Sequence, residues 1–177
     1  MICAKSFQGK TIQAKDGPIG HVQDVYFDDL EWKIRYVAVK TGRWLPGKTV
    51  LLASQTITRY EHGNSGVPVS LTKDEVKSST SLEAEKPGNP HLCCTHEVLG
   101  YSLRATDGDI GRLEDFVIHD EDNSIRFLII KIETLMAAKK ILIRPGSIIG
   151  IDRSAKKLIA NLSCHDVETS PTCEHSG

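Results

Sequence analysis

Apolar positions along this chain come in short β-prone runs separated by Gly, Pro, Asp and Asn, and almost nowhere at helical spacing. Thr11–Ala14 (TIQA) is a short strand, and the DGPIG that follows holds an Asp-Gly pair, a proline and a second glycine, which is hairpin chemistry. In His21–Phe27 (HVQDVYF) the apolar residues Val22, Val25 and Phe27 break period two; one extra residue at Gln23–Asp24 restores it and predicts a β-bulge. Asp28–Lys33 is a polar turn, and Ile34–Lys40 (IRYVAVK), β-branched and aromatic, is a central strand. Thr41–Lys48 (TGRWLPGK) must be a loop by its two glycines and proline, and it leads to a strand at Thr49–Ala53. Val67–Leu71 is a last short strand, after which Thr72 and Glu75 form a capping-box pattern for one helical turn through Lys77.

The whole pattern then returns. Asp16–Leu52 reappears as Asp107–Ile143 with a constant offset of 91 and no gap, as in Gly17/Gly108, Gly20/Gly111, Asp24/Asp115 and Arg35/Arg126. Eleven of the 37 aligned positions are identical, where unrelated segments would share roughly two under average residue usage. The same offset carries Leu71 onto Leu162 and Val76 onto Val167, and Ser163 with Asp166 repeats the capping box. The irregular strand recurs at Leu113, Phe116 and Ile118, and the central strand at Ile125–Ile132 is more apolar still. The copies differ most where Glu133–Lys140 (ETLMAAKK) replaces the glycine- and tryptophan-bearing loop. Ser78–Pro90 (SSTSLEAEKPGNP) has little to bury and reads as a linker. The expected organisation is a first repeat over 1–77, a linker over 78–90, a second repeat over 91–169 and a flexible tail over 170–177. Each repeat falls in the small β-barrel or sandwich class, with short helical turns.

Charge narrows the function classes. The net charge is −1, with 12 basic and 10 acidic residues over 1–90 and 10 basic and 13 acidic over 91–177. A general nucleic-acid or anionic-membrane binder would concentrate basic residues on one surface, so nucleic acid is not the expected partner. No apolar run reaches the length of a membrane span, and Met1–Lys10 lacks the apolar core of a secretory signal, so the expectation is a soluble, cytosolic protein. Five cysteines, an odd number, point to reduced thiols rather than a disulfide framework.

Four sets of residues invite a chemical role. The recurrent Asp16/Asp107 and Asp24/Asp115 resemble carboxylate pairs for acid/base work, yet an Asp before a turn glycine, or at a bulge, more commonly accepts backbone hydrogen bonds. With Gly17, Gly20, Gly108 and Gly111 they read as turn and bulge residues. His91, Cys93, Cys94 and His96 place four metal-ligating side chains within six residues without a counterpart in the first copy. Adjacent cysteines are not usual zinc spacing, and Cys164, His165, Cys173 and His175 could contribute if the tail folds back; an incidental sequence is the strongest reading, ahead of a metal site and then of a redox-sensitive thiol pair. Trp44, Leu45 and Pro46 make an apolar loop tip that either plugs the end of its barrel or anchors a protein interface. Lys139, Lys140, Arg144, Arg153, Lys156 and Lys157 read as a solvated rim more than as an RNA or acidic-protein site. No phosphate loop or nucleophile elbow is present, and neither an enzyme nor a cofactor is expected.

The order and spacing of DGPIGHVQDVYFDD, WKIRYVAV and WLPGKTVLL, followed by DGDIGRLEDFVIHD and IRFLII, resemble the PRC-barrel family. That family is named for the cytoplasmic barrel of the photosynthetic reaction centre H subunit and includes the C-terminal domain of ribosome maturation factors. The resemblance implies an all-β chain of two tandem small β-barrels of about six strands each, similar to free-standing two-barrel bacterial proteins. It implies a binding or assembly module with an unidentified protein partner, and supplies no catalytic residue. Metal- or redox-responsive behaviour through His91–His96, and association with RNA or the ribosome, are the alternatives. Ile34–Val39 and Phe127–Ile132 carry apolar side chains on both strand faces, more than a small barrel interior holds. The surplus predicts an apolar contact, either between the two repeats or between two chains in a homodimer.

Overall fold

A computed structural model describes residues 1–58, 66–79, 89–133 and 138–173. The chain divides into two compact units, one of Met1–His96 with His119–Ser124 and one of Glu97–Ile118 with Ile125–Gly177. Most of the linker and the end of the tail, 80–88 and 174–177, lie outside the described residues, as do 59–65 and 134–137.

The first unit opens with β1 (Ile2–Cys3) and a 3-10 turn over Ala4–Phe7, followed by β2 (Thr11–Ala14), β3 (Gly17–Asp28), β4 (Lys33–Thr41), β5 (Thr49–Ala53), β6 (Gly66–Pro68) and α1 (Lys73–Lys77). After the linker comes β7 (Leu92–Cys94). The sheet order is β5-β4-β3-β2-β6. Successive strands pair antiparallel because short turns join them, whereas β6 reaches β2 by a long connection and lies parallel to it. Among the described residues no ladder joins β5 to β6, so the strands form a path rather than the closed ring expected of a barrel.

The bulge read from the broken periodicity is present. Register shifts between Val22 and Asp24, so Val22 faces Val39 while Asp24 faces Ala38 and Val25 faces Val37. The extra residue turns Val22, Val25 and Phe27 into the same core, where all three are buried with Ile12, Val37, Val39 and Leu52. A ladder position on the opposite face carries Tyr26, Ala38 and Leu51, a second buried cluster completed by Leu92 and Cys94 with Tyr36 packed against it. The surplus apolar side chains of the central strand are thus covered, in this unit, by β7.

β3 makes that possible by being longer than any one partner. Its first half pairs with β2 from Gly17 to His21, and its last three residues, Tyr26–Asp28, pair antiparallel with Cys94, Cys93 and Leu92. The sequence boundary at residue 91 therefore differs from the structural one, which keeps the segment through His96 in the first unit. The turn His119–Ser124 belongs there too: Asn123 accepts a hydrogen bond from Ile34 N at 2.8 Å, and Ser124 bridges Lys33.

The second unit contains β8 (Ser102–Ala105), β9 (Gly108–Ile118), β10 (Ile125–Glu133), β11 (Ala138–Ile143), β12 (Ile148–Asp152), β13 (Lys157–Ala160) and α2 (Cys164–Glu168), in the order β11-β10-β9-β8-β13-β12. Leu113 pairs with Ile130 and Asp115 with Ile129 across the same bulge, and Leu128 faces both Phe116 and Ile143. Each of these pairs lies 91 residues beyond its counterpart in the first sheet, such as Val22–Val39, Asp24–Ala38 and Val37–Leu52. The parallel pairs Thr11–Gly66 and Ile12–Val67 recur as Ser102–Lys157 and Leu103–Leu158.

The segment over 170–177 is not a free tail up to residue 173: Leu142 N donates to Pro171 O at 2.8 Å and Cys173 N to Lys140 O at 2.9 Å, occupying the open edge of β11. Where the copies diverge, the β10–β11 ladder runs on through Ile132–Lys139 and Glu133–Ala138, whereas the β4–β5 ladder ends at Lys40–Thr49 and gives way to a loop.

Candidate functional site

The carboxylates that recur in both copies are occupied by backbone. Asp16, in the two-residue turn before Gly17, reaches across the chain to α1, whose first N–H, from Lys73, donates to its Oδ1 at 2.9 Å. Asp107 accepts from Cys164 N at 2.7 Å in the same way. That hydrogen bond holds the Asp107 carboxyl below its usual value, and partial burial together with the neighbouring carboxylate pushes the Cys164 thiol up. Both helical turns also close the predicted capping box, Thr72 with Glu75 and Ser163 with Asp166. The hairpin aspartates therefore tie β2–β3 and β8–β9 to the turn that ends each repeat, a longer reach than the local turn contacts expected of them.

Asp24 and Asp115 sit at the bulge, where the extra residue frees backbone donors. Each accepts a hydrogen bond from the next residue's N–H at 2.8 Å, Val25 and Phe116 respectively. At Asp24, Oδ2 also accepts from Cys94 Sγ at 2.8 Å, and Oδ1 from Thr95 Oγ1 at 2.9 Å and His96 N at 3.3 Å. A neighbouring carboxylate, Asp29, accepts from Cys93 Sγ at 3.6 Å and lies 2.9 Å from His91 Nδ1.

These contacts decide the fate of the four-ligand segment. On a strand successive side chains point to opposite sides, so Cys93 and Cys94 diverge, one to Asp29 and the other to Asp24. His96 contributes its backbone N–H, and His91 its ring to a carboxylate. Among the described residues no group of three or more His, Cys, Asp or Glu is arranged to hold a metal ion; His175 lies outside them. What the segment does is fasten β7 to β3 at both ends. The offset of 91 also gives Cys94 a counterpart the motif reading missed: Cys3 stands 91 residues before it and Ile2 before Cys93, with Ala4 and Phe7 buried as Thr95 and Val98 are. The signal was present in that spacing, upstream of the conspicuous glycines.

At the start of β4 the turn is stiffened by charge and stacking. Burial raises the Asp28 carboxyl, but hydrogen bonds from Glu31 N and Leu30 N and the Arg35 charge outweigh it and hold the group below its ordinary value. Trp32 takes a positive φ of 53° and stacks on Phe27 with ring centroids 5.5 Å apart; its counterpart, Asn123, has φ of 57° and is a residue type that tolerates that region.

Trp44 folds inward from its loop. Its Nε1 donates to Ile19 O at 2.6 Å, beside the Gly42 N–H, which donates to the same carbonyl at 3.0 Å. Lys77 Nζ stands 6.0 Å from the ring centroid, and the Thr41 hydroxyl donates to Lys48 O at 2.7 Å, closing the loop base. Trp44 and Leu45 are half-buried and Pro46 exposed. Three of the six basic rim residues of the second unit have these partners: Lys140 pairs with Glu114 at 2.9 Å, Lys157 with Asp109 at 2.8 Å and Lys139 with the Glu168 carbonyl.

Sheet order, bulge and capped final turn define a particular small β-fold, and residues 2–76 match the family model of the PRC-barrel domain. This part of the chain is a PRC-barrel domain. Comparison with curated proteins finds no match. Within the PRC-barrel domain the conspicuous polar residues serve hairpin, bulge and cap, and the most heavily hydrogen-bonded of them, Asp24, receives a strand from outside the matched region. No helix among the described residues is long and apolar enough to cross a membrane.

Proposed function

We propose that this chain is a non-enzymatic protein-interaction or assembly module built from two PRC-barrel domains, the second carrying the same ladder without falling in the matched region. The observation that carries the reading is the divided edge of β3. A strand from beyond the linker adds to Tyr26–Asp28 and buries Leu92 and Cys94 against Tyr26, Ala38 and Leu51. Main-chain pairing for affinity and alternate side chains for selectivity is how sheet edges bind extended segments. The carboxylates that would serve acid/base chemistry are engaged by backbone N–H groups, and Lys139, Lys140 and Lys157 of the second unit by carboxylates or a carbonyl, which favours this reading over an enzyme or an RNA binder.

Affinity purification of the intact protein from its native cell, followed by gel filtration, tests the proposal. The expected result is a polypeptide that co-elutes in a fixed ratio and survives nuclease treatment and chelation. Recovery of the chain alone, of RNA lost on raising salt, or of a stoichiometric metal would overturn it in favour of the corresponding alternative.

A further inference from the structure

Across the second sheet one polar row runs from strand to strand. Ser102 on β8 stands opposite Arg112 on β9, and Arg112 stands opposite Lys131 on β10. Directly opposed residues share a face, and this is the face away from the core, because the neighbours Leu103, Leu113 and Ile130 are buried. The row lines a cleft of about 270 Å³, to which Asp109 and Glu133 add the remaining charges.

One charge on that lining lacks a counter-charge. Asp109 is held by Arg104 at 2.9 Å and Lys157 at 2.8 Å, and Lys131 pairs with Glu133 at 2.7 Å. Among the described residues Arg112 has no carboxylate at ion-pair distance; its Nη1 donates to the Gly100 carbonyl at 3.4 Å, a long contact that leaves the rest of the guanidinium fork open. Counted with the side chains that engage the lining, Arg104, Arg112, Lys131 and Lys157 face Asp109 and Glu133, four cations against two anions, and the Lys140–Glu114 pair beside Lys131 adds one of each. The first sheet carries the same row as Thr11, His21 and Lys40. There an imidazole takes the central place, its Nδ1 already 3.4 Å from Thr11 Oγ1, so the open fork is particular to the second unit.

A guanidinium presents parallel N–H donors that match the two oxygens of a carboxylate, and the hydroxyl of Ser102, directly opposite, is placed to give a third hydrogen bond. A neutral occupant would strip water from Arg112 without replacing it. A doubly charged phosphate would set its second charge against Asp109 and Glu133. The volume lies below the roughly 300–1,000 Å³ of drug-sized ligand pockets, which suits a single side chain, and arginine is among the residues that dominate interface energies. We infer that this cleft receives the carboxylate of a glutamate or aspartate side chain from a partner polypeptide, gripped by Arg112 with Ser102 beside it. The inference rests on the interaction-module reading above and assigns it a contact.

The test uses the full chain at low salt and N-acetyl-glutamate α-amide, followed by amide chemical shifts. Saturable shifts should centre on Ser102, Gly111, Arg112 and Lys131, and the glutamine analogue, which has the same shape without the charge, should bind at least about threefold more weakly, the scale of a half-exposed ion pair. Arg112→Gln should remove the shifts, and Arg112→Lys, which keeps the charge and loses the fork, should weaken them. Arg112 is exposed, so both variants should keep the wild-type spectrum elsewhere. No saturable shift in the folded wild-type protein at millimolar probe, equal binding of the glutamine analogue, or shifts unchanged in Arg112→Gln would each overturn the inference. Recovery of a native partner undiminished by Arg112→Gln would overturn it too, and leave the interaction reading standing. If the probe binds as expected and no partner is captured, the interaction reading fails and takes with it the polypeptide as the source of the carboxylate.

Discussion

Gly20 is the residue whose identity is most tightly dictated. A Cβ there would lie 2.1 Å from the Lys40 carbonyl oxygen on the neighbouring strand, a contact with backbone that no rotamer relieves. Gly111 meets Lys131 O at 2.7 Å and also has φ of +70°. Alanine at Gly20 is expected to destabilise by about 2 kcal/mol or more, through overpacking against a fixed strand, read as a lowered denaturation midpoint; an unchanged midpoint would count against the close approach. Asp24 is the second such residue. Removing its carboxylate in Asp24→Ala leaves the Cys94, Thr95 and His96 donors without their acceptor, and a loss of about 1–3 kcal/mol is expected. An unchanged denaturation midpoint in Asp24→Ala would remove the argument that Asp24 fastens β7.

At the scale of elements, β3 explains the fold best. Twelve residues long and bulged at Gln23–Asp24, it can give one stretch to β2 and another to β7 while β4 runs along its other edge. β7 is short, so its attachment depends on burial: Leu92 and Cys94 are 7% and 5% exposed. Truncating a buried leucine costs about 2–5 kcal/mol in well-packed cores, and Leu92→Ala should lie toward the lower end because the site is at the end of a strand. Faster hydrogen exchange at Tyr26–Asp28 should accompany the lost stability. Destabilisation without any change in that exchange would show that β7 is not what protects the end of β3.

Across the whole molecule, acid is the expected stress. Asp28, Asp107, Asp109, Asp166, Glu75 and Glu133 are all held below their ordinary values, by hydrogen bonds from backbone or side chains and by neighbouring cations. A carboxylate with a depressed folded-state pKa adds stability that is complete above its unfolded value, about 4 for Asp and Glu, and is lost as pH falls through the lower folded value. Stability should therefore hold from neutral pH to about 5 and decline below about 4. Urea midpoints across that range would measure it, and a midpoint that rose on acidification would contradict the sign. Most of these groups are at the surface, so high salt should flatten only the part that comes from ion pairs such as Lys157–Asp109.

Sequence alone determined the features governed by neighbours along the chain. The bulge was legible because Val22, Val25 and Phe27 cannot share one face without it, the capping boxes because Thr72/Glu75 and Ser163/Asp166 act across three residues, and the paired registers because one apolar pattern, displaced by 91, must bury the same face twice. Tertiary structure alone decided which strand occupies an edge. Leu92–Cys94 has too few residues to declare itself a strand, and its cysteines looked like ligands until pairing with β3 sent them to opposite sides, toward Asp24 and Asp29. The anchoring of Pro171–Cys173 on β11 is of the same kind. So is the inward seat of Trp44, which depends on a carbonyl at Ile19 that lies 25 residues away in the chain. A three-residue segment carries almost no intrinsic preference, and its conformation is set by the unpaired N–H and C=O groups it meets, which exist only once the sheet has formed.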